Sequence, residues 1–168
     1  QSNFGPSTVS PERIGNELLF PQRAGRKIRA LSADRIDSDQ YGAPGATVLA
    51  EHITRPGLAV LAYAAEPVPL LFALRTDGVL GVATIDRDQD NMVAWVRQFT
   101  DGQFDAIAAL PVEDGAQVWV IAIRQIDGNE VRYVERFDPA LMTDCAITGT
   151  SVGGDTVWTA TSPLEVVT

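Results

Sequence analysis

The chain has 168 residues, of which 45% are hydrophobic, so it can bury a sizeable core and lacks the composition of a disordered segment. Its net charge of −9 argues against binding nucleic acid through phosphate contacts, which need clustered lysine and arginine. The single cysteine, Cys145, excludes an internal disulfide and fits assembly in a reducing cytoplasm, and no apolar run approaches the ~20 residues of a membrane-spanning helix.

The chain begins with a polar segment containing glycine and proline, residues 1–16, which predicts an extended lead-in lying on a neighbouring surface. Residues 17–20 and 27–32 are predicted as two strands joined by a turn in which Gly25 supplies the positive φ. After a polar loop, the spacing of apolar residues over 46–53 predicts one short helix.

Strand signals dominate the next part of the chain, where apolar or alternating runs are separated by Asp-Gly pairs. That dipeptide between apolar runs is a strong hairpin signal. The runs predict one complete four-strand meander and three strands of a second. The predicted strands are 58–64, 70–75, 79–85 and 92–99 in the first meander, and 104–110, 118–126 and 131–137 in the second.

An arginine follows the apolar strand in three places, Arg23, Arg75 and Arg124, which lie 52 and 49 residues apart. This period is typical of a radial array of small antiparallel sheets, because each sheet needs a neighbour to bury its faces. We therefore predict an all-β fold of antiparallel four-strand meanders arranged as β-propeller-like blades.

This fold divides the chain into three parts. They are the lead-in 1–16, a partial propeller-like domain of about three blades over 17–138, and a loop or strand connection toward a further domain over 139–168. Since the sequence does not begin with methionine, we expect it to be a piece of a longer protein.

The first hairpin carries the basic patch of the chain. Its cations can pair with carboxylates of a neighbouring blade or subunit, or they can meet nucleic acid, and the net acidity favours the first interpretation. The three tryptophans, Trp95, Trp119 and Trp158, are predicted to pack in the core, with Trp95 the least certain. The residues of the predicted interaction surface are Arg23, Arg26, Lys27, Arg29 and Trp95.

Other reactive side chains do not form a recognisable site. Asp86, Asp88 and Asp90 are spaced like the first ligands of a calcium-binding loop, but the glycine and the glutamate that such a loop needs are replaced by other residues. A solvated acidic loop is therefore favoured. His52 is interpreted as a packing or capping residue, and Cys145 has no histidine near it in sequence. We predict no catalytic residue, metal site or cofactor.

Four strings of the sequence together resemble a family of phage and prophage structural proteins. They are Glu17-Leu-Leu-Phe-Pro-Gln-Arg-Ala-Gly-Arg-Lys-Ile-Arg29, Thr47-Val-Leu-Ala-Glu-His-Ile-Thr54, Ala94-Trp-Val-Arg-Gln-Phe-Thr-Asp-Gly-Gln-Phe104 and Val131-Arg-Tyr-Val-Glu-Arg-Phe137. The family is similar to tail-nozzle or tail-tube proteins of short-tailed phages, which contain β-propeller blades. The resemblance covers about residues 1–160 and carries no catalytic motif.

The resemblance implies a non-enzymatic structural component of the virion, in the tail or the head-to-tail connection, assembled in the bacterial host cytoplasm. The implied partners are other tail or connector proteins and further copies of the chain, with no membrane and no sequence-specific nucleic acid. Three units are too few for a closed propeller of ~4–8 blades, so missing chain or other subunits must complete the ring, or it stays open.

Two further functions are considered beside this one. A propeller-like receptor module could hold a host glycan through exposed aromatic side chains such as Trp95. A glycan-cleaving enzyme would need an acid and a base from among Asp86, Asp88, Asp105 and Glu113.

Overall fold

The structure is a computed structural model that describes residues 5–32, 45–47, 50–86, 92–138, 140–141, 144, 146–152 and 155–162. Within these residues the chain forms twelve strands and one short helix. In chain order they are β1 (Glu12–Ile14), β2 (Glu17–Pro21), β3 (Ile28–Ser32), α1 (Glu51–Thr54), β4 (Leu58–Ala64), β5 (Leu70–Arg75), β6 (Leu80–Asp86), β7 (Met92–Gln98), β8 (Gln103–Val112), β9 (Gly115–Ile126), β10 (Asn129–Phe137), β11 (Ala146–Val152) and β12 (Asp155–Ser162).

The strands form three sheets. The first sheet has the order β1-β2-β3, the middle sheet β4-β5-β6-β7, and the third sheet β11-β12-β10-β9-β8. Neighbouring strands are antiparallel except β10 and β12, which run parallel over the pairs Arg136↔Thr161 and Phe137↔Ser162. The prediction of a mostly β fold with antiparallel meanders and one short helix is confirmed. No helix in the described ranges is long and apolar enough to span a membrane.

Several elements differ from the predicted bounds. The helix begins at Glu51, late in the predicted range 46–53, and ends one residue beyond that range, at Thr54. Strand β1 lies within the predicted lead-in 1–16 and pairs with β2. In the predicted connection 139–168, β11 and β12 form an antiparallel hairpin that joins the third sheet.

The middle sheet is covered on both faces. One face packs on the third sheet in a cluster that includes Phe72, Val82 and Phe104. The other packs on the first sheet in a cluster that includes Leu19 and Leu71. All six residues of β5 are buried, as expected for a strand with no solvent-exposed face. The first and third sheets therefore bury apolar faces of the middle sheet that would otherwise be in contact with water.

A backbone hydrogen bond links the start of each meander to a turn of the preceding sheet. The N–H of Leu58, at the start of β4, donates to the carbonyl of Gly25 in the β2–β3 turn at 2.8 Å. The N–H of Phe104, near the start of β8, donates to the carbonyl of Gly78 in the β5–β6 turn, also at 2.8 Å. The two sheet junctions are thus built in the same way.

The middle and third sheets also have similar rows of side chains across their first three strands. In both sheets an alanine, a large apolar residue and a valine stand side by side, and the large residue lies three positions before the arginine of its strand. The two cross-strand rows are Ala62–Phe72–Val82 in the middle sheet and Ala106–Ile121–Val134 in the third sheet.

The first sheet departs from the predicted arginine repeat. The N–H of Gln22 donates to the Lys27 carbonyl at 2.7 Å, as that of Arg75 donates to the Val79 carbonyl at 3.0 Å. Gln22, and not Arg23, is therefore the counterpart of Arg75, and Arg23 lies exposed in the turn. The four-residue turn of this hairpin displaces the arginine from the strand, so the repeat holds only between the other two sheets.

Candidate functional site

The predicted basic patch is divided between a turn and a strand. Arg23, Arg26 and Lys27 are exposed in the β2–β3 turn, whereas Arg29 is half-buried in β3 and its Nε donates to Oε1 of Gln22 at 3.1 Å. The Nζ of Lys27 lies 2.5 Å from a carboxylate oxygen of Glu51. Part of the patch therefore pairs with the helix of its own chain, on the segment that leads to the middle sheet.

An open depression of about 450 Å³ lies beside this turn, lined by Arg26, Lys27, Glu51, His52 and Arg55. His52 is exposed there, so the part of its interpretation that made it a packing residue is corrected. The helix has only one turn, in which Glu51 and His52 are exposed and Ile53 and Thr54 are buried. The lining carries three permanent cations and one carboxylate, which makes the depression suited to an anionic group.

Trp95 lies in β7 and is half-buried. Its ring packs against the cluster between the first and middle sheets, and its indole N–H donates to the Ala46 carbonyl at 3.1 Å. The predicted packing role describes this geometry better than a role in an exposed surface. Trp95 does not lie among the side chains that line the basic depression.

Two buried arginines tie their strands to carboxylates. The guanidinium of Arg75 donates to both carboxylate oxygens of Asp77, and its Nη1 donates to the Ile53 carbonyl at 3.0 Å. The hydrogen bonds from Arg75 lower the pKa of Asp77, against the smaller opposing effect of burial. Because Ile53 precedes β4, Arg75 connects β5, the second strand of this meander, to the segment that leads into its first strand.

Arg124 repeats this arrangement in the third sheet and extends it. Its Nε and Nη2 donate to the two oxygens of Glu135 at 2.8 and 2.9 Å, and the side chains of this pair are only 8% and 4% exposed. Its Nη1 donates to the Asp101 carbonyl at 3.1 Å and to Oδ2 of Asp144 at 3.2 Å. The hydrogen bonds that Arg124 donates to Glu135 raise the pKa of the guanidinium, so it is always charged.

Asp144 closes this network from the segment after β10. Burial alone would raise its pKa, but hydrogen bonds from the Asp101 N–H at 2.7 Å, the Thr100 hydroxyl and Arg124 outweigh that effect and lower it. The network therefore holds together the segment before β8, strand β9, strand β10 and the segment after β10.

The lowered pKa values of Asp77 and Asp144 predict a loss of stability in acid. A carboxylate with a lowered folded pKa contributes stability that is complete above its unfolded pKa and is lost as the pH falls through the folded value. We expect the thermal midpoint, followed by circular dichroism, to fall below a pH of about 4. The fall should be shallower in the Asp77→Asn/Asp144→Asn variant.

Comparing the wild-type protein with the Asp77→Asn/Asp144→Asn variant isolates the contribution of these two aspartates to the acid loss of stability. Glu12 acts in the opposite direction, since burial raises its pKa, but it contributes equally to wild type and variant. An equally steep acid loss in the variant would contradict the assignment to Asp77 and Asp144.

The third sheet exposes an apolar face that the sequence pattern did not single out. Trp119, Ile121 and Ile123 alternate along β9 and are half-buried there, although Trp119 was predicted to pack in the core. Val134, opposite Ile121 on β10, is among the most exposed large hydrophobic residues in the described ranges. Alternation predicts which residues share a face, but not whether another sheet covers that face.

The described residues show no other site of the predicted kinds. They contain no group of three or more His, Cys, Asp or Glu that could hold a metal ion. Asp105 is half-exposed and pairs with Arg132 at 3.6 Å. Asp88, Asp90 and Cys145 lie outside the described residues.

The chain matches no known family of proteins, and no curated protein is significantly similar to it.

Proposed function

We propose that this chain is a structural component of a phage or prophage particle, in the tail or the head-to-tail connection, and that it acts through protein–protein contacts. The proposal is supported by the resemblance of its four sequence strings to that class of protein. The single structural observation that favours it is the partly exposed apolar face of the third sheet, where Val134 is 63% exposed, because exposed apolar surface is typical of protein interaction sites.

The proposal includes a propeller-like arrangement of the sheets. Three observations support it. The sheets stack face to face, and the first strand of each meander is hydrogen-bonded to a turn of the preceding sheet. The cross-strand rows of side chains in the middle and third sheets are also similar. Propellers have ~4–8 blades, so these three sheets would form part of a ring completed by other chain or other subunits.

The proposed partners are other tail or connector proteins and further copies of the chain. Assembly would take place in the cytoplasm of the bacterial host, and the finished location would be the virion. The net charge of −9 favours such protein partners over sequence-specific binding to nucleic acid.

Mass spectrometry of purified particles tests the proposal directly. Particles from the host that encodes the chain should contain it in a fixed ratio to known tail proteins, and imaging of the particles should place its density at the tail or its junction with the head. A chain abundant in the host lysate but absent from purified particles would contradict the structural role.

The alternative of a glycan-binding module is less well supported. Trp95 is half-buried and its indole N–H is already bonded, so little of the ring is free for a sugar. Phe99 is exposed, but the Arg97 guanidinium lies over its ring at 5.5 Å. No described feature favours a glycan over a protein partner.

A further inference from the structure

The depression beside the β2–β3 turn concentrates positive charge in an acidic chain. Its lining residues are Arg26, Lys27, Glu51, His52 and Arg55. Three cations and one carboxylate leave this lining with a formal charge of +2, whereas the whole chain has a net charge of −9. Because like charges around one space repel each other, a bound anion would relieve the repulsion.

Two arginines of this lining differ from those that tie the larger sheets together. The guanidiniums of Arg26 and Arg55 have neither a hydrogen-bond partner nor a carboxylate partner among the described residues, and both side chains are exposed. Four arginines of the middle and third sheets, by contrast, are paired with carboxylates, namely Arg75, Arg124, Arg132 and Arg136. The N–H donors of Arg26 and Arg55 are therefore available to a ligand.

Hydrogen bonds to the backbone hold the two sides of the depression together. The Thr54 hydroxyl, at the end of the helix, donates to the Arg26 carbonyl at 2.5 Å, and the Thr54 side chain is fully buried. The N–H of Leu58 donates to the Gly25 carbonyl at 2.8 Å. The turn that carries the first cations is thus fixed against the segment that carries Arg55, which lowers the ordering cost of binding.

The charge and the donors of the lining match a phosphate group. A phosphomonoester carries a charge of about −1.5 to −2 at neutral pH, close to the +2 of the lining, whereas one carboxylate would neutralise only half of it. Each guanidinium presents N–H donors in a planar fork that fits two phosphate oxygens. The His52 imidazole adds an N–H donor in either protonation state.

The size of the depression favours a compact ligand. Its volume of about 450 Å³ lies within the range of about 300–1,000 Å³ that is typical of small-molecule sites. A nucleic acid would bring further phosphates against a chain whose net charge is −9, and this repulsion opposes binding. A small phosphate compound avoids that repulsion.

We infer that the depression binds one phosphate group, either inorganic phosphate or the phosphate of a small phosphomonoester. Arg26 and Arg55 hold its oxygens from opposite sides, and His52 donates a further hydrogen bond. Lys27 adds positive charge, which its pairing with Glu51 at 2.5 Å partly offsets. The inference rests on this lining and not on the proposed role in a particle, so either can fail without the other.

Titration with inorganic phosphate at constant ionic strength tests the site, followed by ¹⁵N NMR of the whole chain. The amides around the depression, within residues 25–27 and 51–57, should shift saturably with a Kd of about 1 mM or tighter. Binding should weaken as sodium chloride is added. A parallel titration with glycerol 3-phosphate identifies the source, because the natural form of the ligand should bind more tightly.

Charge-removing variants locate the binding. Arg26→Gln and Arg55→Gln should each weaken phosphate binding about three- to tenfold. Arg23→Gln is the matched control, since Arg23 is exposed in the same turn but does not line the depression, and it should bind phosphate like wild type. Circular dichroism and thermal melts check that each variant folds.

Glu51→Gln should act in the opposite direction. It removes the one carboxylate of the lining and releases the Lys27 ammonium from its ion pair, so phosphate should bind about two- to fivefold more tightly. A general loss of structure would weaken binding instead, so this variant separates the proposed site from a folding effect.

Four results would overturn the inference. They are the absence of saturable shifts with either phosphate compound, an Arg23→Gln variant that loses as much affinity as Arg26→Gln, and a folded Glu51→Gln variant that binds phosphate more weakly than wild type. The fourth is a short DNA duplex that shifts the same amides at lower concentration than phosphate does, which would indicate a nucleic-acid surface.

Discussion

Replacing Arg124 with methionine should lower the free energy of unfolding by about 3–5 kcal/mol. The side chain of Glu135 is 4% exposed and receives two hydrogen bonds from this guanidinium, so its carboxylate would be left buried without its cation. The variant also loses the hydrogen bonds to the Asp101 carbonyl and Asp144. Urea denaturation followed by circular dichroism measures the change.

Two companion variants separate the causes. The Arg124→Met/Glu135→Met protein should regain much of the lost stability, since replacing both members of a buried pair removes the uncompensated charge. Arg75→Met should cost less than Arg124→Met, because Asp77 is exposed and water can solvate its carboxylate. If Arg75→Met were as costly as Arg124→Met, burial of the partner carboxylate would not be the cause.

The Gly102→Ala variant should be destabilised by about 3 kcal/mol or more. Gly102 has a φ of +135°, a conformation nearly restricted to glycine, and it lies where the chain enters β8 beside the backbone of β9. A Cβ at this position would lie 2.0 Å from the Ile123 carbonyl oxygen, so backbone must move to admit it. Thermal and urea denaturation measure the loss.

Gly128→Ala is the matched control for this effect. Gly128 also has a positive φ, +77°, but a Cβ there meets nothing within 4 Å. Only the backbone conformation is penalised, so the expected loss is about 1–2 kcal/mol. Gly128→Asn should cost less still, because asparagine tolerates the left-handed region. Equal losses for Gly102→Ala and Gly128→Ala would contradict the close approach of the two backbones.

Strands with strong local signals could be predicted from the sequence. The predicted ranges 58–64 and 70–75 match β4 and β5, because continuous apolar runs bounded by proline and Asp-Gly turns have few other structures open to them. Strand β1 was missed because a three-residue strand has no period of its own, and it forms only by pairing with β2.

Partners distant in sequence could not be predicted in the same way. Arginine at a strand end was visible as a repeat, but the pairing of Arg124 with Glu135 and Asp144 depends on the folded positions of three separate segments. The exposed face around Val134 was missed for a related reason. The apolar residues that alternate on the neighbouring strand β9 have the pattern of a buried face, and only the stacking order of the sheets shows that they lack full cover.

The middle sheet, which is covered on both sides, has a consequence for folding cooperativity. Because β5 has no face of its own toward solvent, a species that kept this strand but lost either flanking sheet would bring apolar side chains into contact with water. Partly folded chains of that kind are disfavoured, so the three sheets should melt as one unit, with the amides of β5 among the slowest to exchange with solvent deuterium.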